Sequence, residues 1–364
     1  MTSTRGPHEA GPERNTSNPA ISVVICTYNR ADLLSAAIEH VLAQDDRGTP
    51  PFELIIVDNN STDTTAAVVE RASALDGRVR YVRETRQGVS HARNAGVAAA
   101  RAHIIAFTDD DVRVGRAWLA SLALAFAAHP GASVIGGKVL PIWPETPPSW
   151  LTQEHWGPLA LADHGDDPLR VDAAHQLCLL GANMAVRRSL FDEIGYFATA
   201  VQRVDNRIGS SEDHEFQLRL FRSGGFGIYD PQIVIHAAVQ PDRLDVRYHR
   251  RWHTGHGHFN ALMRPEYLEV STVGRLFDVP AHMYRAAAAD AVGWLRATSK
   301  GRRAEAFSRE LRLRFFVGFV RTRRGQFRSL PAGERRRQWH GFVRGLMGMG
   351  RRTESAGPAS AGGR

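Results

Sequence analysis

The sequence predicts an α/β protein with a mostly parallel sheet flanked by helices. Two observations carry this reading. Between residues 21 and 112, four apolar runs alternate with segments whose apolar residues recur at helical spacing. Three of those runs end in polar clusters, Thr27-Tyr28-Asn29, Asp58-Asn59-Asn60 and Asp109-Asp110-Asp111. Parallel sheets bind ligands beyond the carboxyl ends of their strands, so the three clusters are expected to meet in one crevice.

The elements follow in order. "ISVVIC" reads as a buried strand, and Leu33, Leu34, Ala37, Ile38, Val41 and Leu42 then share a helical face. "FELIIVD" is the second strand, and Ser61 or Asp63 can cap the helix after it. "RVRYV" is a shorter strand, "VSHARNAGVAAA" a small-residue helix and "HIIAFT" the fourth strand. Farther on, "PIWPETPPSWLTQEHWGP" reads as an ordered loop near a binding face. "GANMAVRRSLFDEIGYF" holds a short strand and a helix start, "SEDHEFQLRLFRSGG" a helix ended by glycines, and "FGIYDPQIVIH" another strand. From about Val246 the chain reads as helical and basic. The expected organisation is a disordered leader over 1–20, a catalytic domain over 21–245, a helical basic extension over 246–352 and a frayed tail over 353–364. The catalytic domain divides into a nucleotide-side half, 21–112, and an acceptor-side half, 113–245.

Composition narrows the function. The net charge of +8 is uneven: residues 271–364 carry 20 Lys and Arg against 6 Asp and Glu, so the remainder is acidic on balance. An acidic crevice on a body with a basic tail is unlike a nucleic-acid-binding domain, and no nucleic-acid partner is expected. Two cysteines, Cys26 and Cys178, make neither a disulfide framework nor a zinc pattern and fit a reducing cytoplasm. The first twenty residues hold no apolar stretch, so no secretory signal is expected. No run is long enough to span a membrane.

The acids raise the chemical question. Three adjacent carboxylates at a strand end repel one another and are costly to desolvate. Either they form a solvated acidic turn or a divalent cation offsets them. Mg2+ or Mn2+ suits oxygen ligands and pairs with substrate phosphates. If the strand persists, alternation turns Asp109 and Asp111 to one side and Asp110 away. Asp58 can read a base edge or cap the next helix. Gly88 opens a helix whose N-terminus, with Arg93, suits a diphosphate, and a salt-bridged helix is the other reading. His249 and His253 share a helical face, but no Glu lies between them as in zinc proteases, and a basic, phosphate- or acceptor-facing segment is the better reading.

In order and spacing, "VVICTYNR", "LIIVDNNSTDTT", "GVSHARNAG" and "FTDDDV" resemble the nucleotide-sugar domain of family 2 glycosyltransferases, which have the GT-A fold. "GANMAVRRSLFDEIGYF" and "SEDHEFQLRLFRSGG" look like that family's acceptor-side segment, so the resemblance covers about 21–240. It implies a metal-dependent inverting hexosyl transfer from a nucleoside-diphosphate sugar to a hydroxyl acceptor. That acceptor would be a glycan or lipid-linked intermediate in cell-surface polysaccharide or glycolipid synthesis. It implies Asp109 and Asp111 as the D-x-D pair around the metal, with His236 joining them. Thr27, Tyr28, Asn29, Asp58, Arg93, Asn94, Asp109 and Asp110 would lie on the nucleotide side. Asp213 would be the general base with Glu212 beside it, although Ser211 with acids in the first turn also makes an ordinary helix start. The middle D-x-D residue is itself an acid, a departure from the family pattern.

The tail combines Trp294, Leu295, Phe307, Leu311, Phe315, Phe316 and Phe319 with many arginines. It can lie on an anionic membrane or pack on the body, and peripheral attachment at the inner face of the cell membrane is the expectation. The rival functions are a non-catalytic, membrane-docked sugar-binding module and a nucleotidyltransferase. No glycine follows the first strand, as a nucleotidyltransferase would need, and no G-x-G-x-x-G supports a dehydrogenase.

Overall fold

The computed structural model describes residues 18–202, 208–267 and 275–336. Most of the expected leader, all of the expected frayed tail and residues 337–352 lie outside them. The chain begins with β1 (Ile21–Thr27), α1 (Ala31–Leu42), β2 (Phe52–Asp58), α2 (Thr65–Leu75), β3 (Val79–Arg83), α3 (Val89–Ala99) and β4 (Ile104–Asp109). Next come β5 (Val112–Val114), α4 (Trp118–Ala128), β6 (Val134–Ile142), β7 (Leu169–Val171), β8 (Met184–Arg187), α5 (Ser189–Ile194), α6 (Glu212–Arg222) and β9 (Gly227–Ala238).

The main sheet has strand order β3-β2-β1-β4-β8-β6-β9-β5, with β7 on β9. The strands β3, β2, β1, β4, β6 and β9 point one way; β8, β5 and β7 point the other. The predicted mostly parallel sheet flanked by helices is therefore present. Its central strands are buried on both faces, which is why they read as unbroken apolar runs. Ile21, Val23 and Ile25 pack with Leu34 and Ile38 of α1 and Leu119 and Leu122 of α4. Val24, Ile55 and Val57 turn to the opposite face, with Ala92 and Val97 of α3 and Phe216 and Leu220 of α6.

The last described part is α7 (Val246–Tyr267), the short pair β10 (Arg275–Leu276) and β11 (Val279–Pro280), α8 (Ala281–Ser299) and α9 (Arg303–Ser329). Gly257 of α7 and Gly318 of α9 leave no room for a Cβ against the facing backbone, so the two helices touch closely. Of the two readings of the tail's aromatic stripe, packing within the protein holds for its phenylalanines. Phe319 is fully buried with Ala261, Val279 and Met283, and Phe315 and Phe316 pack at the edge of that cluster. An amphipathic helix buries its apolar stripe against whatever apolar surface is nearest, and here that surface is its own neighbouring helices. The Pro- and Trp-rich loop supports this layer: Trp150 lies 5.1 Å from the Phe307 ring and 4.9 Å from that of His249. Trp294 and Leu295 on α8 remain exposed. No described helix is long and apolar enough to cross a membrane.

Candidate active site at the strand ends

Strand register builds the crevice. Thr27 pairs with Asp58 and Cys26 with Asp109, so the ends of β1, β2 and β4 stand side by side. The turn after β1 is tied to the turn after β2. Asn29 adopts a left-handed conformation with φ 51°; its N–H donates to Ser61 Oγ at 3.0 Å and its Oδ1 accepts from the Thr62 N–H at 2.8 Å. Asp58 is buried, with Oδ1 accepting from the Ser61 N–H at 2.8 Å and Oδ2 from the Tyr81 hydroxyl at 2.7 Å. Burial, then the Asp58 carboxylate, pushes the Tyr81 phenol up to about 12. Tyr28 projects with 46% exposure, an aromatic face on this rim.

The strand ends at Asp109, so side-chain alternation does not extend through the acids. Asp110 is therefore not turned away. It is buried, accepting from Thr27 Oγ1 at 2.8 Å and from Arg30 Nη1 at 3.0 Å. The same Arg30 nitrogen donates to Asp111 Oδ2 at 3.0 Å, and Arg243 Nη2 stands 4.0 Å from that oxygen. Among the described residues no hydrogen-bond donor reaches the Asp109 carboxylate. Burial pushes Asp109 up to about 6 against the pull of Arg93, with Asp111 and Asp110 adding to the push. Burial likewise raises Cys26 to about 12.

The segment expected on the acceptor side opens with α6. Glu212 is its first residue, and Asp213 Oδ2 accepts from the Gly181 N–H at 3.1 Å. Arg93, expected on the diphosphate, is instead buried, donating from Nη1 to Glu212 Oε1 at 2.7 Å with its guanidinium 5.5 Å from the Phe197 ring centre. Burial alone would lower its affinity for a proton, but Glu212, Asp109 and Asp213 hold it charged. Gly181 is needed there, because a Cβ would strike that guanidinium. Glu212 Oε2 is buried without a partner among the described residues.

The α3 N-terminus expected to cradle a diphosphate is filled from within the protein. Gln202 Oε1 accepts from the Ser90 and His91 N–H groups at 3.0 and 3.3 Å, and Asn59 Oδ1 accepts from the Gly88 N–H at 2.8 Å. Asn94 has both ends of its amide on the Phe197 backbone, at 3.0 Å each, and so clamps that loop. His236 lies opposite Arg113 in the β9–β5 pairing and is exposed. Sequence reasoning missed Arg30, Tyr81, Gly181, Gln202 and Arg243. Arg30 and Gly181 sit in the quoted motifs "VVICTYNR" and "GANMAVRRSLFDEIGYF", and Tyr81 in the quoted strand "RVRYV"; Gln202 and Arg243 approach from distant segments without a local signal.

Among the described residues no cluster of three or more His, Cys, Asp or Glu side chains forms a ready-made metal cage. The donors nevertheless fit a hard cation that keeps its waters and binds through one or two carboxylates plus substrate phosphates. Asp109 and Asp111 offer such carboxylates; burial first, and then Asp111 and Asp110, raise Asp109 against the pull of Arg93 and Arg30.

Comparison with known proteins agrees with the geometry. Residues 22–195 match the glycosyl transferase family 2 domain. A glucosyl-dolichyl phosphate glucuronosyltransferase of Haloferax volcanii is 25% identical over 207 residues, 56% of this chain and 64% of that protein. A GalNAc(5)-diNAcBac-PP-undecaprenol beta-1,3-glucosyltransferase of Campylobacter jejuni is 35% identical over 95 residues, 26% of this chain and 30% of that one. This chain thus matches less than two thirds of the length of either relative. A mannosyltransferase from Pyrobaculum calidifontis, solved with GDP-Man and Mn2+, shares the fold at TM-score 0.56 and 20% identity, covering 87% of this chain and 90% of that one. The aligned strand ends, the acidic turn and the helix α6 sit in a GT-A fold, and residues 22–195 of the chain carry a glycosyl transferase family 2 domain.

Proposed function

We propose that the protein is a metal-dependent, inverting glycosyltransferase. It moves a sugar from a nucleoside-diphosphate donor to a hydroxyl of a glycan or lipid-linked acceptor in cell-surface polysaccharide or glycolipid synthesis. The observation that carries this reading is the juxtaposition of two acidic sites on one buried arginine. Arg93 feels both Asp109, at the strand-end crevice, and the Glu212–Asp213 pair that opens α6. Donor and acceptor sides therefore face each other across a fixed cation.

Tyr28, Asn29 and Asp58 form the nucleoside rim, and Asp109 and Asp111 would hold Mg2+ or Mn2+. A bound cation would supply positive charge to the leaving diphosphate. Asp213 accepts the proton of the acceptor hydroxyl; the Gly181 N–H fixes its carboxylate. The unpartnered Glu212 Oε2 accepts a second acceptor hydroxyl, while Oε1 stays on Arg93. Positioning and fixed charge carry the rate, because the strand ends and α6 are anchored in the two cores. Attack from the side opposite the diphosphate inverts the anomeric centre. The dolichyl phosphate and undecaprenol named for the two relatives support a lipid-linked acceptor. The enzyme would then work at the cytoplasmic face of the membrane. Incubation with UDP-, GDP- and dTDP-sugars, with and without Mn2+, tests the reading. Metal-dependent release of nucleoside diphosphate is expected, and a protein that binds these donors but never turns them over is a sugar-binding module instead.

A further inference from the structure

We propose that the groove between α7 and α9 is a second anion site, built for the phosphate or diphosphate of an acceptor-side ligand. The groove has a volume of about 700 Å3 and is lined by five arginines: Arg247, Arg250 and Arg251 from α7, and Arg314 and Arg321 from α9. Among the described residues, one acid serves this wall. Glu310 Oε1 lies 2.8 Å from Arg250 Nε and 3.2 Å from Arg314 Nη2. Among the described residues, no carboxylate comes within ion-pair distance of Arg247, Arg251 or Arg321. Guanidinium groups facing a shared groove repel one another unless an anion joins them, and their planar forks match phosphate oxygens.

The groove exists because of close helix contacts. Gly257 and Gly318 bring α7 and α9 together, and Gly255 lets the Ile208 backbone lie against α7. Ile208 and Phe259 supply an apolar floor beneath the arginines, and Thr254, Thr322 and His258 add polar groups. An apolar floor under a cationic wall suits a phosphate carried on a hydrocarbon chain. The groove also adjoins the acceptor side: Ile208 leads through Ser211 directly into Glu212 and Asp213. The identity of the ligand rests on the acceptor reading above; the anion site rests on the arginines alone.

The test is a calorimetric titration of inorganic pyrophosphate into the full chain in EDTA, where the strand-end acids hold no divalent cation to clamp a diphosphate. Arg251→Gln with Arg321→Gln is expected to weaken pyrophosphate binding on the order of tenfold per guanidinium removed, with an unchanged melting temperature. A second arm sediments the same proteins with phosphatidylglycerol or phosphatidylcholine vesicles. Loss of phosphatidylglycerol binding in the double variant, without measurable pyrophosphate affinity in either protein, assigns the site to a lipid headgroup. If neither arm responds to the double substitution, the anion site is refuted. A parallel titration with UDP and Mn2+ separates the two readings: failure of the anion site leaves nucleotide binding intact, and failure of the transferase reading removes nucleotide binding alone.

Discussion

Asp213 and Glu212 are neighbours with different work, and substitution separates them. Asp213 is held by two backbone N–H groups, those of Gly181 and His214, and as the proposed base would take the acceptor proton, so Asp213→Asn is expected to lower kcat by about 10²–10⁴-fold with donor affinity preserved. Steady-state kinetics with a donor titration checks this, and near-normal kcat would move the base role to Glu212. Glu212→Gln removes the countercharge from a buried Arg93. Breaking a buried pair in this way costs about 3–5 kcal/mol, readable as a lower denaturant midpoint. The acids were legible in the sequence because they stand next to their strands and helix. The Arg93–Glu212 pair was not, because its partners lie 119 positions apart and each alone reads as an ordinary helix residue. Asp110 misled for a local reason: alternation stops with the strand at Asp109, and the turn swings the next carboxylate into Thr27 and Arg30.

At the scale of elements, β1 to β4 could be read because double-sided burial leaves continuous apolar runs. The tail could not, since a helical stripe of leucine and phenylalanine has the same period whether it meets lipid or another helix. Its packing makes a definite expectation. Phe319→Ala should cost about 3–5 kcal/mol, the usual range for a buried phenylalanine, and appear as a loss of thermal stability rather than of vesicle binding. Residual membrane attachment would have to use Trp294 and Leu295 of α8 instead. The histidines of α7 set a pH dependence. Burial lowers His249 and His256 from 6.5 to about 4 and His253 to about 3. The folded state therefore keeps them neutral where the unfolded chain takes up protons. Their contribution is fully present above pH 6.5 and is lost as pH falls toward 4. Melting temperatures measured from pH 7.5 to 5 should decline, and His249→Phe should flatten the decline; a level profile for the parent protein would contradict this account of α7.

Over the whole molecule, three layers of charge are arranged in sequence: the acidic strand ends, the buried arginine, and the basic helical layer that meets the acceptor-side segment. Negative charge gathers where a cation and diphosphate would bind, and positive charge lies where a phosphorylated acceptor would approach. This division was visible in the sequence as an acidic body and a basic tail, although not the groove that concentrates it. The central claim is that Asp109 and Asp111 bind a nucleoside diphosphate through a divalent cation. Isothermal titration of UDP and GDP, with and without Mn2+, into the parent protein and Asp111→Asn tests it most directly. Metal-dependent binding of at least one nucleotide by the parent protein, abolished in the variant, is the expected result; equal affinity in both proteins, or affinity indifferent to Mn2+, would contradict it.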